Sequence, residues 1–261
     1  MKKNIQLLIV AATFVGGVSN AALVSHYTFD ELSGTTAVDS GSAAANGTIG
    51  SNVTVGTSGV FGTAFTFGND SSQNGIVDMG NATGLFNAIT TSQAVTISVW
   101  LSSAPGTGTR DSAVFLGDDT VANRYIDVGT TSTGAVYGRT RNNQGSGFSD
   151  GIRGSDLNSG QWHHVAYTSD AISGESLLYI DGVLQSAQTG TNTFPTSFSN
   201  FEIGRLGRSS PTDAFAGSID ELRIYDTVLS ANEISSLAVP EAGVSMLLGL
   251  GAMGMIARRR K

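Results

Sequence analysis

Short apolar runs separated by turn-forming residues recur along almost the whole chain, and this pattern constrains the fold more than any other feature. The clearest run covers residues 95–101, where apolar and polar side chains alternate. One face carries Val95, Ile97, Val99 and Leu101, and the other carries Thr96, Ser98 and Trp100. A period of two is expected for a β-strand with one buried face. Because clusters of Gly, Ser, Thr, Asn and Asp punctuate such runs, the sequence predicts an all-β fold.

Further strands, a hairpin and one helix are indicated by local patterns. Apolar runs predict strands at residues 23–29, 64–67, 75–79, 125–128, 162–167, 177–180, 201–203 and 218–225. Asp181 and Gly182 follow one of these runs directly, and an Asp-Gly dipeptide favours the positive φ angles of a two-residue hairpin turn. Ser230 and Glu233 have the spacing of a capping box, which predicts a short helix after the last strand.

The N-terminal segment has the composition of a secretory signal peptide. Lys2 and Lys3 precede an apolar stretch at residues 5–18, and small residues lie at the positions that a signal peptidase reads. This pattern predicts cleavage between Ala21 and Ala22. Residues 1–21 are therefore expected to be a signal peptide, and the body of the protein is expected to be exported.

The C-terminal segment contains a short motif, an apolar run and a basic end. Val239, Pro240, Glu241 and Ala242 precede the apolar residues 243–257, and residues 258–261 are Arg-Arg-Arg-Lys. As a helix, the apolar run would reach only about 22 Å, whereas the hydrocarbon core of a bilayer is about 30 Å thick. It is therefore expected to be a short, marginal transmembrane anchor.

This tail resembles the PEP-CTERM sorting signal, although Ala242 occupies a position where Pro is more common. The resemblance implies that residues 239–261 are recognised by an exosortase-type membrane protease in a Gram-negative bacterium. It also implies transient anchorage in the inner membrane before the tail is removed. The alternative interpretation is an ordinary, permanent C-terminal transmembrane anchor.

The body of the protein, residues 22–238, is acidic and free of cysteine. It contains 8 Arg and no Lys against 20 acidic residues, which gives a net charge of −12. Nucleic acid is therefore not expected as a partner, because its recognition requires a basic patch. The absence of cysteine from the whole chain excludes disulfides, thiolate zinc sites and thiol catalysis. This length fits one all-β domain.

Five phrases in the body together indicate a family. They are LVSHYTFDE at 23–31, TISVWL at 96–101, QWHHVAYT at 161–168, LYIDGVLQ at 178–185 and GSIDELRIYDTVLSANEI at 217–234. In this order they resemble a laminin-G-like jelly-roll domain of the concanavalin A-like lectin and glucanase superfamily. The resemblance implies two antiparallel sheets packed as a sandwich across residues 22–238. It does not fix the function, because this fold supports lectins, hydrolases and adhesive modules.

Catalysis is not predicted. Glycoside hydrolysis requires two carboxyl groups that face one sugar, and the glucanases of this superfamily carry Glu-x-Asp-x-Glu strings, which are absent from the sequence. The adjacent pairs 30–31, 118–119 and 220–221 would direct their side chains to opposite faces of a strand. His163 and His164 are expected to be structural for the same reason. The alternative is a divergent glycoside hydrolase.

A structural calcium site is one of two interpretations of the acidic residues. Asp220 shares strand parity with Leu222 and Ile224, so its carboxylate is expected to point toward the interior, where a charge needs a partner. Domains that this chain resembles often carry Ca²⁺ between the first and last strands. The resemblance thus implies Ca²⁺ ligands at Asp30, Asp39 and Asp220. The alternative is that Asp220 accepts backbone hydrogen bonds or pairs with an arginine.

Several polar and aromatic residues are candidates for contact with a ligand. A loop offers Arg141, Asn143 and Phe148, whose guanidinium, amide and aromatic groups suit sugar hydroxyls. Tyr125 and Tyr137 would add stacking surfaces. The competing interpretation is that the loop is an ordinary solvated turn.

Together these features predict an exported, noncatalytic jelly-roll module that binds carbohydrate or a partner protein. It would be located at the cell surface, in the outer membrane or in the extracellular matrix. Two alternatives stay open, namely a structural matrix or adhesion protein without a discrete ligand and a divergent glycoside hydrolase.

We expect the mature protein to begin at Ala22 and to end near Pro240 and Glu241, because flanking positive charges hold both ends of the precursor at the membrane. Mass spectrometry of the exported protein measures both termini. Recovery of residues 258–261 on mature exported protein would contradict sorting by tail removal and would indicate a permanent anchor.

Overall fold

The structure is a computed structural model. It describes residues 21–103, 110–120, 123–142, 151–157, 160–190, 194–195 and 197–240. The strands of one sheet are β1 (Leu23–Tyr27), β4 (Thr54–Ser58), β5 (Thr63–Gly68), β7 (Ala94–Ser103), β12 (His163–Asp170), β13 (Glu175–Ile180), β14 (Val183–Thr189) and β16 (Ala216–Tyr225). The other sheet contains β2 (Thr36–Ala37), β3 (Gly47–Ile49), β6 (Val77–Gly80), β8 (Arg110–Gly117), β9 (Arg124–Thr131), β10 (Ala135–Asn142), β11 (Ile152–Asp156) and β15 (Asn200–Ile203). Two α-helices, α1 (Thr83–Ser92) and α2 (Ala231–Leu237), complete the described elements with a short 3-10 turn at Gln73–Gly75.

Two antiparallel sheets of eight strands form a sandwich. In the first sheet the order is β14-β13-β12-β7-β16-β5-β4, and β1 pairs with β16 outside this path. In the second sheet the order is β11-β10-β9-β8-β15-β6-β3-β2. Their inner faces share one cluster of buried apolar side chains. The predicted all-β jelly-roll sandwich of two antiparallel sheets is therefore confirmed.

Strand β7 lies at the centre of the first sheet, between β12 and β16. The alternation predicted from the sequence is confirmed, because Val95, Ile97, Val99 and Leu101 are all fully buried in the shared core. Trp100 lies on the opposite face, yet it is also buried. The outward face of the first sheet must therefore be covered by other parts of the chain.

Helix α2 covers part of that outward face. Ile234 and Leu229 pack against Ala166 and Tyr179 in a second, smaller apolar cluster. The predicted capping box begins the helix, because the Ser230 side chain accepts from the N–H of residue 233 and the Glu233 carboxylate accepts from the N–H of residue 230. The predicted hairpin turn is present as well, with Ile180 paired to Val183 and positive φ at both intervening residues.

A β-bulge in β16 reverses one expectation about side-chain direction. Glu221 has φ of 51°, and the pairing of β16 with β7 shifts register between Asp220 and Arg223. Because of this extra residue, Ile219 and Leu222 both reach the core. Asp220 therefore does not share the core-facing parity of Leu222, as the sequence pattern suggested. It is buried on the outward face, opposite Trp100.

Among the residues that the structure describes, no helix is long and apolar enough to cross a membrane. Residues 1–20 of the predicted signal peptide, which was expected to span residues 1–21, and the predicted anchor at residues 243–257 lie outside the described residues.

Candidate functional site

Five side chains form a transverse row on the outward face of the second sheet. The strand register pairs Asp78 with Glu202, Glu202 with Phe115, Phe115 with Asp127 and Asp127 with Arg139. Opposed positions on neighbouring antiparallel strands point to the same face. This row therefore places three carboxylates and one guanidinium along one surface of the sandwich.

A buried ion pair holds one end of this row. Arg139 donates to Asp127 Oδ2 from Nε at 2.8 Å and from a terminal nitrogen at 2.5 Å. Both side chains are almost completely shielded from solvent. The guanidinium lies 4.9 Å from the ring centre of Tyr125 and 5.1 Å from that of Tyr137. Such enclosure by two aromatic rings favours a structural role for this pair.

An open polar cavity of about 420 Å³ occupies the other end of the row. Its lining includes Gln73, Asp78, Asp119, Ser199, Asn200, Glu202, Arg205 and Arg208. The strands β6 and β15 supply the floor, and the residues that follow β15 supply one wall. We call this cavity the polar pocket. It combines acceptors, donors and charges of both signs, which is a suitable lining for a ligand rich in hydroxyl groups.

Within the polar pocket, Glu202 is bound on both carboxylate oxygens by Arg205. The Nε to Oε2 and terminal nitrogen to Oε1 distances are both 2.7 Å. Arg205 also donates to the carbonyl oxygen of Ser71 at 2.6 Å. A bidentate pair of this kind fixes both planar groups in place. By contrast, the buried Nε of Arg208 has no hydrogen-bond partner among the described residues.

The pair formed by Asp78 and Glu202 was not predicted from the sequence. The two residues are far apart in the chain and come together only through the pairing of β6 with β15. Side chains opposed in this way begin about 5 Å apart at their Cβ atoms. Asp78 Oδ1 accepts a hydrogen bond from the Gly80 N–H at 2.7 Å. The acidic patterns considered in the sequence lie within single strands, so they do not reveal a pair that spans two strands.

The structure describes three of the predicted ligand residues, Tyr125, Tyr137 and Arg141, and places them on this same face. Tyr125 and Tyr137 are fully buried, so their rings offer no stacking surface in this conformation, contrary to the sequence-based expectation. Arg141 is partly exposed and donates to the Tyr125 hydroxyl at 3.0 Å. Asn143 and Phe148 lie outside the described residues. Ligand contact through Arg141, Asn143 and Phe148 stays a prediction.

The three predicted calcium ligands accept backbone hydrogen bonds. Asp39 accepts from the N–H groups of residues 26, 41 and 45 at 2.8 to 3.0 Å. Asp30 accepts from the N–H of Thr63 at 2.8 Å. Within the described ranges, no group of three or more acidic, His or Cys side chains has a metal-binding arrangement. Calcium binding by Asp30, Asp39 and Asp220 therefore stays a prediction without a shared cluster to support it.

Asp220 instead holds the turn at residues 59–62 onto the outward face of the first sheet. Its Oδ2 accepts from the N–H groups of Val60 at 2.8 Å and Phe61 at 3.0 Å. The Phe61 ring then packs edge-on against Trp100. Asp220 Oδ1 is buried without a hydrogen-bond partner among the described residues. Burial is the main cause that raises the pKa of Asp220 to about 7.

The two predicted structural histidines have different surroundings. His164 is fully buried beside Trp100 and lies 2.8 Å from the Ser98 hydroxyl. Burial lowers its pKa to about 4. His163 is partly exposed and its Nδ1 lies 2.8 Å from Asp181 Oδ2. The two rings bind to different partners, which agrees with the structural role expected from the sequence.

Comparison with known families identifies the fold. Residues 78–235 match the family model Laminin_G_3, described as "Concanavalin A-like lectin/glucanases superfamily". The chain belongs to this family. Residues 238–261 match the PEP-CTERM protein-sorting motif, which indicates export and surface sorting in Gram-negative bacteria. This motif begins immediately after α2, so the sorting tail follows the folded sandwich without a linker.

Solved structures with the same fold include carbohydrate-binding and hydrolytic proteins. Domain 4 of AbnA, a GH43 extracellular arabinanase from Geobacillus stearothermophilus in complex with arabinotriose, is 24% identical with a TM-score of 0.58, covering 84% of this chain and 99% of that one. A Trypanosoma rangeli sialidase is 13% identical with a TM-score of 0.62, covering 85% of this chain and 33% of that one. At these identities the likeness shows the fold alone.

Curated relatives match only a small part of their own length. A rat protein named Sushi, von Willebrand factor type A, EGF and pentraxin domain-containing protein 1 is 35% identical over 89 residues, which is 31% of this chain and 2% of that protein. Its mouse counterpart is 34% identical over 89 residues, with the same shares. The chain thus spans only 2% of the length of these relatives.

We expect Asp220→Asn to flatten the pH dependence of stability between about pH 4 and pH 7. Because its pKa in the folded state, about 7, lies above the unfolded value of about 3.9, the folded protein holds this proton more tightly. Stability is therefore lost as pH rises through this window and is constant above it. Across this pH range, the change in the free energy of unfolding should differ between the two proteins by at most about 4 kcal/mol. This limit follows from about 1.4 kcal/mol per pKa unit, and solvent screening reduces it.

Thermal unfolding with chelator present, followed at several pH values, measures this effect. Asp156→Asn is the matched control, because it removes an exposed carboxylate from β11 and should follow the wild-type curve. Parallel curves for wild type and Asp220→Asn would show that Asp220 is ionised at low pH in the folded protein.

Proposed function

We propose that the exported sandwich binds a carbohydrate without hydrolysing it, through the polar pocket. One observation carries this proposal. The pocket brings an amide, hydroxyls, a bidentate Arg–Glu pair and the Arg208 side chain to one open cavity of about 420 Å³. The Arg208 Nε has no hydrogen-bond partner in the part of the chain that the structure describes. Sugar rings present hydroxyl groups that both donate and accept, so they can use such a mixed lining.

The arrangement of the carboxylates supports binding over hydrolysis. A glycosidase needs one carboxyl group that donates a proton and a second that acts as nucleophile or base. Both oxygens of Glu202 accept hydrogen bonds from Arg205, so this carboxylate is engaged in holding the guanidinium and is not aimed at a glycosidic oxygen. We therefore assign Glu202 and Arg205 the task of fixing the floor of the pocket on which a sugar would lie.

Charge indicates which sugars to test first. The net charge of the body is −12, and this field opposes the approach of polyanionic glycans. Neutral polysaccharides are therefore the favoured class. A domain of the same fold was solved in complex with arabinotriose, which makes arabino-oligosaccharides a sensible first probe. Binding in the millimolar to micromolar range, about −4 to −8 kcal/mol, is expected.

The cellular setting follows from the sorting motif. An exosortase-type protease would remove the tail after export, and a signal peptidase would remove the leader. The processed domain would then act at the cell surface or in the extracellular matrix, where polysaccharide is available. An adhesion or matrix protein without a discrete ligand is the alternative, and failure to bind any glycan would favour it.

A divergent glycoside hydrolase is the second candidate, and the cross-strand pair of Asp78 and Glu202 is the observation that favours it. The two side chains start about 5 Å apart at Cβ, so a change of rotamer can bring their carboxyl groups to the spacing of about 5 to 5.5 Å that retaining glycosidases use. Release of reducing ends that is lost in Asp78→Asn would establish this reading.

We expect Gln73→Ala and Arg208→Ala to weaken glycan binding while leaving the melting temperature nearly unchanged. Loss of a hydrogen bond between neutral groups weakens the binding free energy by about 0.5–1.5 kcal/mol, and loss of a hydrogen bond to a charged group weakens it by about 1.5–3 kcal/mol. The larger loss is therefore expected for Arg208. Isothermal titration of the full chain against a panel of neutral oligosaccharides measures both effects.

The control is Gln185→Ala, because Gln185 is equally polar but exposed on the edge strand β14 of the other sheet. It should bind as the wild type does. Equal affinity in Gln73→Ala, Arg208→Ala and Gln185→Ala would contradict binding in the polar pocket.

A further inference from the structure

A second cavity, of about 320 Å³, lies next to the polar pocket and shares only Pro211 with its lining. It opens where β8 begins and where the segment before β16 crosses it. Asn69, Arg110, Asp111, Thr212 and Asp213 are among the residues that line it. None of these five residues belongs to the calcium site predicted from the sequence, and none lines the polar pocket.

Asp111 is the unusual member of this lining. It is only 1% exposed, and neither of its carboxylate oxygens has a hydrogen-bond partner among the described residues. A buried carboxylate without a partner is unfavourable, because it has lost its hydration and gained nothing in return. Burial, followed by the nearby charge of Asp213, raises the pKa of Asp111 to about 6. Asp111 is thus a buried carboxyl group that accepts no hydrogen bond from the described residues.

The backbone fixes Asp213 close to this group. The carbonyl oxygen of Asp213 accepts from the N–H of Ser112 at 2.8 Å, and Ser112 forms a β-bridge with Ala214. Asp111 and Asp213 are therefore neighbours of the two bridged residues on adjoining segments. Two carboxylates held in this way repel each other unless a cation lies between them.

We propose that this cavity binds a calcium ion through the carboxylates of Asp111 and Asp213. Asn69 and Thr212 add neutral side-chain oxygens to the lining, and the Thr212 hydroxyl has no hydrogen-bond partner among the described residues. Carboxylate, amide and hydroxyl oxygens are hard ligands that suit Ca²⁺. Zinc is less suited, because its sites are built mainly from Cys and His.

One charge in the cavity opposes a cation. Arg110 also lines it, so a bound ion would meet one positive side chain and two negative ones. Two carboxylates exceed one guanidinium, and the balance still favours a divalent cation. The opposing charge leads us to expect the weak affinity of extracellular calcium modules, with a dissociation constant of about 10⁻⁴ to 10⁻³ M.

Calcium titration of the full chain, stripped of metal with chelator and held in detergent, tests the proposal. The melting temperature of the wild type should rise as CaCl₂ is raised to about 10 mM, which exceeds that dissociation constant. Asp111→Asn should lose this rise. Without calcium, the same variant should melt at the same temperature as the wild type or higher, because an uncompensated buried charge has been removed.

Three further variants locate the ion. Asp213→Asn should weaken calcium binding by at least about tenfold, since loss of outer-shell partners alone costs 10–100-fold at metal sites. If Asp111→Asn does not fold, the calcium affinity of Asp213→Asn tests the proposal by itself. Asp156→Asn, which removes an exposed charge elsewhere, and Asp220→Asn should both respond to calcium as the wild type does.

Three outcomes would overturn the proposal. The first is a wild type that shows no calcium response, and the second is wild-type affinity in both Asp111→Asn and Asp213→Asn. The third is loss of the response in Asp220→Asn alone, which would place the ion at the carboxylates predicted from the sequence.

Discussion

The burial of both faces of β7 is the constraint on which the rest of the structure depends. Its inward side chains form the centre of the core between the sheets. Its outward side chains organise what covers the first sheet. The Thr96 hydroxyl donates to the carbonyl oxygen of Thr227 at 2.6 Å and accepts from the N–H of Leu229 at 3.0 Å. The Trp100 ring packs against the edge of the Phe61 ring. The segment leading to α2, and hence to the sorting tail, is thereby fixed to the centre of the sheet.

The outward face of the first sheet is partly covered by α2 and by the turn at residues 59–62, and the outward face of the second sheet carries the polar pocket. Its row of charged side chains divides into two parts with different roles. The Arg139–Asp127 pair is enclosed by two aromatic rings. Glu202 and Arg205 are also nearly buried, but together with Asp78 they line an open cavity. Fold and candidate site are therefore linked, because the strand register that builds the sandwich also brings together the polar groups of the pocket.

The sequence predicted the elements that depend on local patterns. Strand β7, the hairpin at residues 181–182 and the capping box of α2 follow from periodicity or from turn and cap chemistry. Helix α1 was not predicted, because its N-cap residue Ala82 makes no side-chain cap. The side-chain direction predicted for Asp220 was wrong, because a bulge at a non-glycine residue leaves no clear local signal in the sequence. The Asp78–Glu202 pair depends on long-range strand order, which no pattern of adjacent residues reveals.

Binding of a sugar in the polar pocket of the second sheet is tested most directly by a crystal structure of the protein grown with a bound neutral oligosaccharide. The sugar is expected to lie between Asp78, Asn200 and Arg208, with its glycosidic bonds intact. A sugar bound on the outward face of the first sheet, or cleaved at the Asp78–Glu202 pair, would contradict it.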